Sequence, residues 1–135
     1  MKTKTILITI ICLLAVNVLV FQSCKKDDDL VNQNPSCTIT SPTSGQEITK
    51  GETITISVNA TDSDGSIAKV EFFIDNISKG SVSNPPFNYN WDTSGESIGN
   101  HTIKATSIDN SGTSTSDEIS VEIFFSRCRK NRNIR

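Results

Sequence analysis

Between Thr53 and Thr61 apolar and polar residues alternate without interruption. Ile54, Ile56, Val58 and Ala60 fall on one face, and Thr53, Thr55, Ser57 and Asn59 on the other. A period of two belongs to a strand with one dry face and one wet face, and no helix satisfies it. The pattern returns down the chain. Val70, Phe72 and Ile74 share a face of the run from Ile67 to Asp75, Ile103 and Ala105 a face of the run from His101 to Asp109, and Ile119, Val121 and Ile123 a face of the run from Thr113 to Phe124. Turn chemistry separates these runs at intervals of roughly eight to twelve residues, the spacing of a sandwich. Cys37 to Thr40 opens the domain, Ser41-Pro42 stops it, and Glu47-Ile48-Thr49 resumes the same strand. Ile77 to Ser83 is a weaker, edge-like strand. Asn84-Pro85-Pro86 breaks the ladder, because proline donates no backbone hydrogen bond. Phe87, Tyr89 and Trp91 alternate on the next strand, followed by a loop over residues 93–99 and a turn at Asn110-Ser111-Gly112. The expectation is an all-β sandwich of about seven antiparallel strands over residues 37–125. At about 1.5–3 kcal/mol per buried side chain, its inner faces support one domain without disulfides.

The first residues obey a different rule. Lys2 and Lys4 precede an apolar run from Ile6 to Phe21, broken only by Thr9 and Asn17. A spanning helix needs about 20 apolar residues, so this shorter run reads as an export signal. Phe21-Gln22-Ser23-Cys24 resembles a lipobox, with Phe in place of the usual Leu, as in Bacteroidetes-type lipoproteins. The resemblance implies cleavage after residue 23 and lipidation of Cys24, a membrane anchor rather than a transmembrane helix. Lys25-Lys26-Asp27-Asp28-Asp29 resembles the tag that sends such lipoproteins to the outer face of the outer membrane. Residues 24–36 are then the lipidated Cys and a flexible tether, in which 30–36 show no period.

Charge narrows the partners. Residues 24–125 hold 6 basic against 15 acidic groups, a net of −9. That balance argues against nucleic acid. Residues 126–135 carry Arg127, Arg129, Lys130, Arg132 and Arg135 and form a basic tail without strand pattern, expected to be disordered.

Several blocks in order give the domain a family likeness: Ile39-Thr40-Ser41-Pro42, the run from Gly51 to Val58, the run from Ala60 to Gly65, the run from Lys69 to Asp75, Pro86-Phe87, Trp91-Asp92, the run from Gly99 to Thr102, and Ala105 to Gly112. Residues 37–123 resemble a bacterial immunoglobulin-like domain family common in secreted and surface proteins. The resemblance implies an immunoglobulin-like sandwich and a non-enzymatic role in adhesion or as a spacer that presents other modules. Asn76-Ile77 stands where the family turns with Asp/Asn-Gly, so a looser hairpin is expected there. Such domains are often the first module of longer proteins, which leaves open a truncated part of a multidomain enzyme.

Four features bear on chemistry. In this topology the loops at Asp62 to Gly65 and Asp109 to Gly112 lie at one end. Asp62, Asp64 and Asp109 are therefore candidate calcium ligands, although Asp and Gly also serve as ordinary turn formers. An EF-hand is excluded, because its twelfth position, counting from Asp62, is Phe73. His101 is the only histidine and has no partner residues in a nucleophile motif. With no phosphate loop or metalloprotease motif, the chain is expected not to be an enzyme. The row Phe87, Tyr89 and Trp91 is expected in the core. On the surface it would instead suit a carbohydrate-binding module, and Phe73 is the better candidate for an exposed aromatic. Cys37 and Cys128 lie near opposite ends of such a sandwich, too far apart for a disulfide.

Overall fold

The computed structural model describes residues 31–126. The export signal, Cys24, the charged run behind it, Cys128 and the tail from residue 127 lie outside the described residues.

Eight strands form two sheets: β1 (Ser36–Ser41), β2 (Glu47–Thr49), β3 (Thr53–Thr61), β4 (Ile67–Ile74), β5 (Ile77–Val82), β6 (Phe87–Asp92), β7 (Gly99–Asp109) and β8 (Ser114–Phe124). One sheet has the order β1-β3-β6, the other β2-β8-β7-β4-β5. The alternating faces meet between them. Ile39, Ile56, Val58, Phe87 and Trp91 come from the first sheet. They pack against Ile48, Val70, Phe72, Ile74, Ile103, Ala105, Val121 and Ile123 of the second. Trp91 and Phe72 are the largest side chains fully shut from solvent. Tyr89 is half-buried and stacks on Phe72, with ring centroids 5.5 Å apart. The aromatic row is core, as its alternation implied.

Two details differ from the sequence expectation. Glu47–Thr49 does not resume the first strand. It crosses to the opposite sheet and runs parallel to β8, with Ile48 opposite Ile123. Pro42 interrupts the ladder, the Gly45 amide then bonds the Ser120 carbonyl at 2.7 Å, and Ile48 reaches the core from its new sheet. The described residues thus hold eight strands, against an expectation of about seven. The hairpin between β4 and β5 is also tight, not loose. Ile74 pairs directly with Ile77, and the two turn residues are Asp75 (φ 50°) and Asn76 (φ 65°). Positive φ at both positions is the type I′ geometry that suits twisted strands, and Asp and Asn are the side chains that enter it most readily after Gly.

The strands run between two poles. β7 spans 11 residues, or about 35 Å at strand rise. At one pole lie the ends of β3 and β7 and the start of β1. At the other lie the β4–β5 turn, the loop over residues 93–98 and the end of β8.

Asn76 is exposed, so its replacement tests the turn alone. Asn76→Val is expected to lower stability by about 1–2 kcal/mol, the cost of the left-handed region for a side chain that gains nothing there. Urea unfolding measures it, and an unchanged midpoint would rule out the type I′ turn.

Candidate functional site

At the first pole each of the three predicted aspartates has a different setting. Asp109 ends β7 and is 2% exposed. Its Oδ1 accepts the amides of Ser111 and Thr113, both at 2.8 Å. Its Oδ2 accepts the Thr113 hydroxyl and the Asn32 side-chain amide. Bonds from Thr113 and Asn32 hold its carboxyl down at about 2. This aspartate is fully engaged in folding its own turn. Asp64 is exposed and accepts the Gln33 amide at 2.9 Å. Asp62 differs from both. Its two carboxylate oxygens are shut from solvent, and no donor among the described residues reaches either. Burial raises its pKa, and the neighbouring carboxylates of Asp64 and Asp109 add to the rise.

Gly65 shapes the same corner. A Cβ there would stand 2.4 Å from Asn110 Oδ1 and 2.6 Å from Asp62 Oδ2, so any larger residue would push these oxygens apart. Asn110 Oδ1 also accepts the Ser66 amide at 3.0 Å. Among the described residues no group of three His, Cys, Asp or Glu side chains forms a ligand set. A cation at this pole would draw on two carboxylates together with amide, backbone and water oxygens. Asn32 and Gln33, within the segment read as a flexible tether, are fastened to this pole by the same bonds.

The opposite pole holds a polar network around Trp91 and His101. Trp91 Nε1 donates to Glu96 Oε1 at 3.0 Å, and Lys79 Nζ meets the same oxygen at 3.2 Å. The bond from Trp91 leads in lowering the Glu96 pKa. His101 is 4% exposed. Its Nδ1 lies 2.7 Å from Asp75 Oδ2 and its Nε2 3.0 Å from the Ser97 carbonyl. A carboxylate and a carbonyl only accept, so the protonated ring, donating from both nitrogens, satisfies both contacts. Burial alone would lower its pKa. The bonds to Ser97 and Asp75 and the charges of Asp75 and Glu96 outweigh burial and raise it. Ser97 Oγ stands 3.4 Å from Nε2, so Ser97, His101 and Asp75 resemble a nucleophile triad in composition. In that protonated form the ring has no lone pair to take a hydroxyl proton, and its bonds to Asp75 and Ser97 clamp the loop over residues 93–98. Thr93, fully buried, fastens that loop from its other side by donating to the Glu52 carbonyl at 2.8 Å and accepting the Gly51 amide at 3.0 Å.

Phe73, expected to be exposed, is half-buried. Among the described residues the exposed aromatics are Phe124 and Phe125; Phe125 has Lys50 Nζ 5.8 Å from its ring centroid. It borders an open groove with Ile98, Glu122 and Phe124. The Cys37 thiol is half-buried beside the Ala105 carbonyl, and burial raises its pKa. Asn110, Asn32 and Glu96 were not singled out from the sequence. The signal for Asn110 was its place in the Asp109 turn, opposite Gly65.

His101 gives the domain a pH dependence. A raised histidine pKa stabilises the fold fully below the unfolded value of about 6.5 and loses that contribution as pH rises through the native value. Thermal unfolding of the wild type is expected to show a falling melting temperature over that range. His101→Gln is expected to flatten the profile, and a slope shared by both proteins would contradict the clamp.

A family profile described as a bacterial Ig domain matches residues 35–105. The fold is similar to fibronectin(III)-like modules of Clostridium thermocellum CbhA, with 27% identity, a TM-score of 0.64, and coverage of 76% of this chain and 53% of that one. It is similar also to an endo-β-1,4-mannanase from Thermotoga petrophila, with 16% identity, a TM-score of 0.56, and coverage of 74% and 21%. A structure of carbohydrate-binding modules from the β-sandwich superfamily gives 21% identity, a TM-score of 0.56, and coverage of 70% and 36%. The chain therefore spans about half the length of the first of these and less of the other two. No curated protein sequence matches it. With the profile covering more than half of its residues, the chain belongs to the bacterial Ig domain family.

Proposed function

We propose that this chain is a lipid-anchored outer-membrane protein, exposed on the cell surface, whose single Ig domain works without catalysis as a spacer or adhesive module. The observation that carries this reading is the polarity of the sandwich. The chain enters at the pole of Asp64 and Asp109 and leaves β8 at the pole of His101. The two are separated by about 35 Å of strand. A domain with entry and exit at opposite ends adds its length to whatever it joins. Both junctions are stiffened, one by Asn32 and Gln33 bonding to the loops, the other by the Lys50 amide donating to the Phe124 carbonyl at 2.9 Å.

The anchor rests on the sequence: the Lys-flanked apolar run, Cys24, and the charged residues behind it. Two or more acyl chains on Cys24 hold a domain of this size stably on a bilayer. A glycan-binding role is disfavoured, because Trp91 and Phe87 are buried in the core and Tyr89 lies against Phe72. The alternating row that would have suited a sugar face is thus taken up by the core.

In cells labelled with a fatty-acid analogue, the wild type is expected to carry label and to be removed by a protease added to intact cells. Cys24→Ala is expected to carry none and to leave the membrane fraction. Label retained on the variant, or a domain protected until the outer membrane is opened, would refute the proposal.

A further inference from the structure

We infer that Asp62, Asp64 and Asn110 form a calcium site at the pole where the chain enters the sandwich. The decisive feature is the Asp62 carboxylate. Both oxygens are closed off from water and neither has a donor among the described residues. A buried carboxylate left in that state is unfavourable unless a proton or a cation meets it. Asp109, the nearest alternative carboxylate, is filled by its own turn and by Asn32. Asp62 has no such arrangement.

The surrounding oxygens are set for a cation. Asp62 Oδ2 and Asn110 Oδ1 lie 2.6 and 2.4 Å from one point above the Gly65 Cα, so they are no more than 5.0 Å apart. One ion with contacts of about 2.3–2.6 Å bridges a pair at that separation. The lack of a Cβ at Gly65 is what allows both oxygens to close on the same place. Asp64 is the second carboxylate of the corner. Its Oδ2 takes the Gln33 amide, which would leave the other oxygen for the ion. Donors that are all oxygen, with two negative charges and one neutral amide, suit a hard cation of flexible coordination, completed by water. The ion's role follows from its position. It offsets the repulsion among carboxylates at this pole and, through Asp64 and Gln33, fastens the entering segment to the body of the domain.

The test is calorimetry and thermal unfolding of the purified full-length chain, stripped with a chelator and then titrated with calcium chloride. The expected result is saturable binding of one ion and a rise in melting temperature of about 5 °C at tenfold excess over Kd. Asp62→Asn removes the charge while keeping the shape. It is expected to weaken binding at least tenfold. Its metal-free melting temperature should equal or exceed that of the metal-free wild type, because an amide donates where the carboxylate only repels. Asp64→Asn is expected to weaken binding while the fold persists. No heat and no shift in the wild type at millimolar calcium would overturn the site and leave a proton held among the carboxylates as the partner of Asp62. An equal response from wild type and Asp62→Asn would also overturn it.

Discussion

The burial of Trp91 between the two sheets is the interaction on which the rest of the domain depends. A strand of period two leaves half of its side chains in need of a dry partner, and two inner faces provide one another with it. Trp91 is the largest side chain enclosed there, in one core cluster with Phe72, Ile56 and Ile74. Its indole N–H cannot be left without an acceptor there. Glu96 supplies the acceptor, and a carboxylate so placed draws in Lys79. His101 packs its ring edge-on to the indole at 5.9 Å and, doubly donating, ties Ser97 to Asp75. One apolar demand in the core therefore dictates a charged network at the pole where β8 ends.

Much of this was legible in the sequence, for a physical reason. Alternation is a local property, and each inward residue named from it in β3, β4, β7 and β8 lies in the core or packs against it. The crossing of β2 was not legible. Three residues carry too little pattern to show which sheet they join, and their partners on β8 are 75 residues away. The tight hairpin was hidden by the absence of glycine at Ile77, whereas Asp75 and Asn76 between them supply both left-handed residues. At the acidic pole the residue types were visible and their states were not. Asp109 and Asp62 look alike in sequence, yet one receives four donors and the other none. What separates them is a hydroxyl four residues on and an asparagine 77 residues back.

The two poles solve opposite electrostatic problems. At the exit pole, cations and anions are matched: Lys79 with Glu96, and His101 with Asp75. At the entry pole acceptors crowd together, and the chain's own donors are concentrated on Asp109. In the spacer role proposed above, a module needs both of its ends fixed. The chain achieves this with side-chain donors at one end and with converging oxygens at the other.

Trp91 is the sole tryptophan, so its fluorescence reports on one site. The most direct measurement is acrylamide quenching of the native protein, with and without saturating oligosaccharides. Emission shifted to the blue, resistant to quencher and indifferent to sugar is the predicted result. Emission near that of indole in water, quenched freely or protected by a glycan, would contradict a core role for Trp91 and with it the two-sheet packing on which this account of the domain rests.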